Sequence, residues 1–252
     1  MLGAEPVRPR RWAVSAFRGV GAIALWWRPG RPTPPALAAM SSDRSVEVDV
    51  TRDAVIFEPR AGARCGLVLY PGARVDPRAY SVLGRAVAAN GFRVVVPTCT
   101  MNLAWFSPRA ADRYVDGAMP WAVGGHSLGG VVAARYAARH PSVRGLVLWA
   151  GYGLDDLSGR DDLAVASVWA TRDGVTLPHH IDKRRHLLPA GTVYTEIPGG
   201  IHGYFGDYGT QPGDGEPAVD RRSAQQRIVE ATVALLEQIA GAPPPGPAVA
   251  DR

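Results

Sequence analysis

The stretch "WAVGGHSLGG", Trp121 to Gly130, decides how this chain is read. A short apolar run gives way to glycines packed around one histidine and one serine, and a small-residue helical pattern, "GGVVAARYAARH", follows. Within it, "GHSLG" (Gly125–Gly129) is a G-x-S-x-G pentapeptide. A serine on a sharp strand-to-helix turn has strained backbone angles, and a side chain two residues to either side would collide with its neighbours. The glycines are therefore steric permissions. Ser127 is the residue they expose, and the helix after it aims free N–H groups and the positive end of its dipole at the same spot.

Working outward, apolar runs of five to seven residues alternate with helical segments, the signature of a parallel sheet buried on both faces. An opening antiparallel pair, 46–50 and 54–59, flanks the turn "TRD". Six more strands follow at 66–70, 92–97, 121–124, 143–150, 164–170 and 192–197. The expected fold class is α/β: an eight-stranded, mostly parallel sheet with helices on both faces. Asp76–Pro77 and Ser107–Pro108 each read as a helix start, and "NG" at Asn90–Gly91 as a helix end. Only a short segment separates Ala150 from Ala164, so no substantial lid domain is expected.

A serine hydroxyl is a weak nucleophile at neutral pH and needs a base, which in turn needs an orienting carboxylate. "SVWATRDG" places Asp173 just after the seventh strand, and "IPGGIHGYFGDYG" places His202 just after the eighth. Both follow Ser127 in the chain order Ser, Asp, His that this architecture uses. His126 lies inside the turn and His140 at the opposite edge, while His179, His180 and His186 precede the last strand on an expected solvated helix. Asp155, Asp156, Asp161 and Asp162 are the fallback acids. The oxyanion donors are expected at the Leu128 N–H and, from "LYPGARVDP", the Ala73 N–H, with Gly72 the next choice. The apolar loop "TCTMNLAWF" offers Met101 and Trp105 as substrate-binding residues, together with Tyr152 and Tyr204.

"YPGARVDPRAY", "GGHSLGG", "ATRDG" and "HGYFGDYGTQPGDG" together resemble the α/β-hydrolase superfamily, and more narrowly its small bacterial fold-5 members, relatives of the dienelactone-hydrolase group. The resemblance spans about 36–240 and implies a Ser127, Asp173, His202 triad and acyl-enzyme chemistry. Dienelactone hydrolases use cysteine where this chain has Ser127, which turns the expected substrate away from dienelactone. Pro71 stands where many hydrolases place a histidine before the glycine. The expected activity is that of a cofactor-free serine hydrolase of carboxylesterase type, acting on a small-molecule ester. The competing expectation is a catalytically silent α/β-hydrolase scaffold serving as a membrane-associated binding protein.

The ends of the chain bear on partners. Residues 1–31 hold six arginines and one acid, which accounts for the whole formal charge of +5 and leaves the rest neutral. That distribution excludes nucleic acid as a partner. Residues 1–35 read as a basic, apolar leader and Pro-rich linker, 36–240 as the hydrolase domain, and 241–252 as a disordered tail. The apolar run within residues 8–27 has the outline of a signal or membrane anchor, although it is short for a span and is interrupted by Arg18. Membrane-anchored or exported localisation through this segment, or otherwise a cytoplasmic one, are the two alternatives. Cys65 and Cys99 are expected as free thiols, because they fall at opposite ends of neighbouring strands. Asp207, Asp214 and Glu216 fit no calcium loop; a Gly-rich turn over His202 is expected instead, and no metal.

Overall fold

The computed structural model describes residues 30–241. Eight strands form one sheet: β1 (Val46–Val50), β2 (Ala54–Pro59), β3 (Gly66–Tyr70), β4 (Arg93–Pro97), β5 (Trp121–His126), β6 (Gly145–Trp149), β7 (Ala164–Ala170) and β8 (Val193–Ile197). Their order is β1-β2-β4-β3-β5-β6-β7-β8. β1 and β2, and β2 and β4, pair antiparallel, and every later pair is parallel. The sheet is the expected one, strand for strand.

Strands β3, β5 and β6 are buried along their whole length, which is why their sequences run apolar without alternation. Alternate side chains serve the two faces. Leu67 and Leu69 face a core with Phe57, Leu83, Val87, Trp149, Ile228 and Leu236; Val68 and Tyr70 face the other with Val123, Val132, Ala133 and Leu148. The first core is closed by two helices, α2 (Ser81–Ala88) and α5 (Arg221–Ala240), and the second by α3 (Leu128–Arg139). Each fully buried Leu or Val stabilises this arrangement by about 1.5–3 kcal/mol. Two short helices, α1 (Pro34–Ala38) and α4 (Pro178–Asp182), complete the set among the described residues.

Local chemistry explains most boundaries. Asp76 accepts the Arg78 N–H and caps a 3-10 turn, Pro77–Tyr80, that runs on into α2. Gly91 turns the chain at φ 89° after it. The helix expected after Ser107–Pro108 is absent; a single 3-10 turn, Ala110–Arg113, stands there, and two more, Thr100–Asn102 and Ala104–Phe106, precede Ser107 in the same loop. Side-chain bonds hold that loop in its own shape: Ser107 Oγ accepts the Thr100 N–H, and the Tyr70 hydroxyl donates to the Pro108 carbonyl and accepts the Ala111 N–H. Residues 150–163 contain no helix or strand, so no large lid is inserted. Cys65 and Cys99 are free and buried, and burial pushes both thiols up to about 12.

The start of the described chain is bonded to the body. The Gly30 N–H donates to the Arg74 carbonyl, the Gly30 carbonyl accepts the Asp76 N–H, and the Thr33 N–H donates to Asp207. The leader 1–29 and the tail 242–252 lie outside the described residues. The expectation of membrane association, and of membrane-anchored or exported localisation, rests on residues 8–27, which lie outside the described residues; within the described residues it is corrected, since no helix there is long and apolar enough to cross a membrane. The longest of the described helices, α5, has 20 residues, and charged and polar side chains occupy much of its length.

Candidate functional site

Ser127 sits between β5 and α3 with φ 53° and ψ −119°, a left-handed conformation that costs a non-glycine residue about 1–3 kcal/mol. The surroundings hold it there. The Ser127 N–H donates to the Trp149 carbonyl at 2.9 Å, and the Ser127 carbonyl accepts the Gly130 N–H at 2.9 Å. A Cβ on Gly125 would lie 2.1 Å from the Gly129 carbonyl carbon, and one on Gly129 would lie 2.2 Å from the Tyr70 carbonyl oxygen. No side chain fits at either position. The Ser127 side chain makes no capping bond to the helix and is half-buried rather than enclosed. Ser81, by contrast, is fully buried at the start of α2 and donates its hydroxyl to the Arg78 carbonyl, so it has no access to a substrate.

Asp173 and His202 meet after β7 and β8, as the chain order anticipates. Asp173 Oδ2 lies 2.7 Å from His202 Nδ1, and both side chains are 1 % exposed. The other carboxylate oxygen, Oδ1, accepts the Val175 N–H at 2.8 Å and the Thr176 N–H at 2.7 Å. Both oxygens are thus committed and the carboxylate is fixed in orientation. Three of the four fallback acids are engaged elsewhere: Asp155 pairs with Arg135, Asp162 with Arg160, and Asp156 accepts the Ser158 N–H.

The two loops are stitched together by a residue that sequence reasoning did not assign. Asp214 accepts N–H groups from His202 (3.0 Å), Gly203 (2.7 Å), Gly215 (2.8 Å) and Gly174 (3.3 Å). It thereby ties the turn carrying His202 to the loop carrying Asp173. Arg221, from α5, adds bonds to the Gly203 and Gly206 carbonyls. An acid amid glycines in "QPGDGE" was the available signal, since a carboxylate beside free N–H groups gathers them.

The Leu128 N–H, expected as the first oxyanion donor, stands at the start of α3. After β3, the Gly72 N–H is taken by the Tyr80 hydroxyl at 2.7 Å, while among the described residues no bond occupies the Ala73 or Leu128 N–H. Arg74 (φ 61°) donates its N–H to the Asn102 carbonyl, which joins this loop to the Met101–Phe106 segment.

The four expected substrate-binding residues divide. Met101 and Trp105 are 63 % and 48 % exposed on that loop, and Trp105 carries the Arg135 guanidinium 5.4 Å from its ring. Tyr152 follows Gly151, which abuts Ser127, and is stacked under Arg184 at 4.0 Å. Tyr204 does not line an open site: it is buried in the core beneath Arg221, because its turn folds inward against α5.

A half-buried serine on a strained elbow, with a buried His–Asp pair delivered by later strands of the same parallel sheet, defines a serine hydrolase. The chain belongs to the alpha/beta hydrolase family, whose model matches residues 66–227. Among solved structures it is similar to a dienelactone hydrolase-like promiscuous phosphotriesterase from metagenomic libraries, with a TM-score of 0.55 and 18 % identity, over 78 % of this chain and 97 % of that one. At that identity the likeness speaks for the fold. No curated protein matches the chain.

Proposed function

We propose that this protein is a carboxylesterase-type serine hydrolase in which Ser127 is the nucleophile, His202 the general base and acid, and Asp173 the residue that orients His202. The observation that carries the reading is a strained Ser127 that directly follows His126, whose ring lies 4.6 Å from the His202 ring, together with a His202–Asp173 pair whose carboxylate has no other freedom.

In the first half of the cycle His202 Nε2 takes the Ser127 proton as the oxygen attacks the ester carbonyl. The C=O electron pair moves onto oxygen, which the Leu128 and Ala73 N–H groups receive. The proton then passes from His202 to the leaving alkoxide, which departs as an alcohol. In the second half water gives its proton to His202 and attacks the acyl-serine, releasing the acid and restoring Ser127. Asp173 accepts from Nδ1–H throughout, so whenever His202 is neutral its lone pair lies on Nε2. Without a lid, Met101, Trp105 and Tyr152 would contact only the substrate near the scissile bond, which supports small or exposed acyl groups.

With p-nitrophenyl acetate, rapid mixing is expected to release a burst of one p-nitrophenolate per protein molecule, lost in Ser127→Ala. Undiminished hydrolysis by Ser127→Ala would remove the assignment, and a rise in kcat/KM with acyl chains beyond about eight carbons would remove the open site.

A further inference from the structure

His126 has no part in the cycle above, yet it is 1 % exposed and sits directly before Ser127. Its Nδ1 lies 3.0 Å from the Tyr80 hydroxyl, and that hydroxyl accepts the Gly72 N–H at 2.7 Å. The single phenolic proton therefore has one good use, donation to His126 Nδ1. That makes His126 the Nε2–H tautomer, turning this N–H toward the His202 backbone carbonyl without a bond of full geometry. The opposite tautomer would strand the phenolic proton and set a lone pair against that carbonyl. Burial first, and the neighbouring His202 second, hold His126 neutral well below the usual histidine range.

The pair touches both halves of the catalytic machinery. On one side, a Cβ on Gly72 would come within 2.8 Å of His126 Nδ1 and 3.3 Å of the Tyr80 oxygen, so the loop bearing Ala73 rests directly on the pair. On the other, the His126 ring lies 4.6 Å from the His202 ring and stacks on Phe205 at 5.9 Å, two residues of the same turn.

We propose that Tyr80 and His126 are positioning residues for ester hydrolysis: by taking the Gly72 N–H they leave Ala73 as the second oxyanion donor and fix that loop against the His202 turn. The inference rests on the assignment of Ser127 and His202. It predicts that the phenolic oxygen acts on the transition state, where the oxyanion forms, and little on substrate binding.

The experiment is steady-state hydrolysis of p-nitrophenyl acetate by Tyr80→Phe, His126→Leu, His126→Gln and the double variant Tyr80→Phe/His126→Leu, with melting curves for each. Tyr80→Phe keeps the buried ring and removes only the hydroxyl. The expected result is a fall in kcat of about 10- to 100-fold with KM within about threefold, since a displaced donor loses part of what a deleted one loses. His126→Leu should match it, His126→Gln should recover part because its amide oxygen accepts the phenolic proton, and the double variant should be no worse than either single. A folded Tyr80→Phe with kcat within twofold of the parent, a loss confined to KM, or losses that multiply in the double variant would overturn the proposal. If Tyr80→Phe does not fold, the contrast between His126→Leu and His126→Gln decides, equal activities overturning it. Covalent labelling of the parent protein at Ser127 by a fluorophosphonate separates the two levels: an unlabelled parent defeats the nucleophile assignment, whereas a labelled parent with an indifferent Tyr80→Phe defeats only this inference.

Discussion

Replacing Asp173 by asparagine exchanges one carboxylate oxygen for an NH2 group and leaves the shape almost unchanged. The structure dictates which way the amide turns. Oδ1 receives two backbone N–H donors, from Val175 and Thr176, whereas Oδ2 faces the single His202 Nδ1. An amide NH2 at the Oδ1 position would oppose two donors; at the Oδ2 position it opposes one group that can change its tautomer. The amide oxygen therefore stays with the loop and the NH2 faces His202, which must then accept through Nδ1 and carry its proton on Nε2. In that state Nε2 has no lone pair for the Ser127 proton. The expected loss in kcat is about 10⁴-fold, or about 5.4 kcal/mol at 1.36 kcal/mol per tenfold. Stability should change far less, by about 1–2 kcal/mol, as two charge-assisted bonds become neutral ones, a shift of a few degrees in Tm. Esterase kinetics alongside a thermal melt separates the two effects. A folded Asp173→Asn retaining kcat within tenfold of the parent would refute the tautomer argument.

Three further outcomes are expected. Gly129→Ala would push a methyl into the Tyr70 and Pro71 carbonyl oxygens, at 2.2 and 2.6 Å, so the elbow must shift by about 1 Å; esterase activity should fall more than 100-fold, and parental activity would refute the steric account. Asp214→Ala removes the acceptor shared by the His202, Gly203, Gly174 and Gly215 N–H groups and should lower kcat at least tenfold and Tm by several degrees, with Asp214→Asn intermediate in both; a normal kcat would show that the brace does not hold the base. For pH, His126 stays neutral when folded but takes a proton near pH 6.5 when unfolded, so the unfolded state binds more protons as pH falls below 6.5 and stability drops, by up to about 1.4 kcal/mol per pH unit from this group. Melting curves between pH 7.5 and 5.5 should show that decline, and His126→Gln should flatten it; an unchanged slope in the variant would assign the decline to other groups.

The sheet was legible because its central strands are buried on both faces, and continuous runs such as "GLVLY" and "GLVLW" have no other stable use in a chain of this size. Ser127, Asp173 and His202 were legible for a related reason: each closes a strand at the same edge, so sequence order became spatial proximity. What escaped depends on contacts between distant segments. Tyr80 and His126 are 46 residues apart and meet only because β3 and β5 lie side by side. Asp214 reads as one acid in a polar turn until that turn folds over the loop after β7. Tyr204 carries the same letters as a pocket-lining aromatic, and only the seat of Arg221 on α5 shows that it faces inward. The loop after Ser107 has a helix-start signal, but nothing local reveals that the Tyr70 hydroxyl bonds to the Pro108 carbonyl and the Ala111 N–H there.

The central claim is that Ser127 attacks the substrate with His202 as its base. Treating the protein with a fluorophosphonate and locating the adduct by intact mass and peptide mapping tests it most directly. One adduct per chain on Ser127, formed rapidly in the parent and at least 100-fold more slowly in His202→Ala, is the predicted result. An adduct on another residue, or labelling of Ser127 that proceeds equally well without His202, would contradict it.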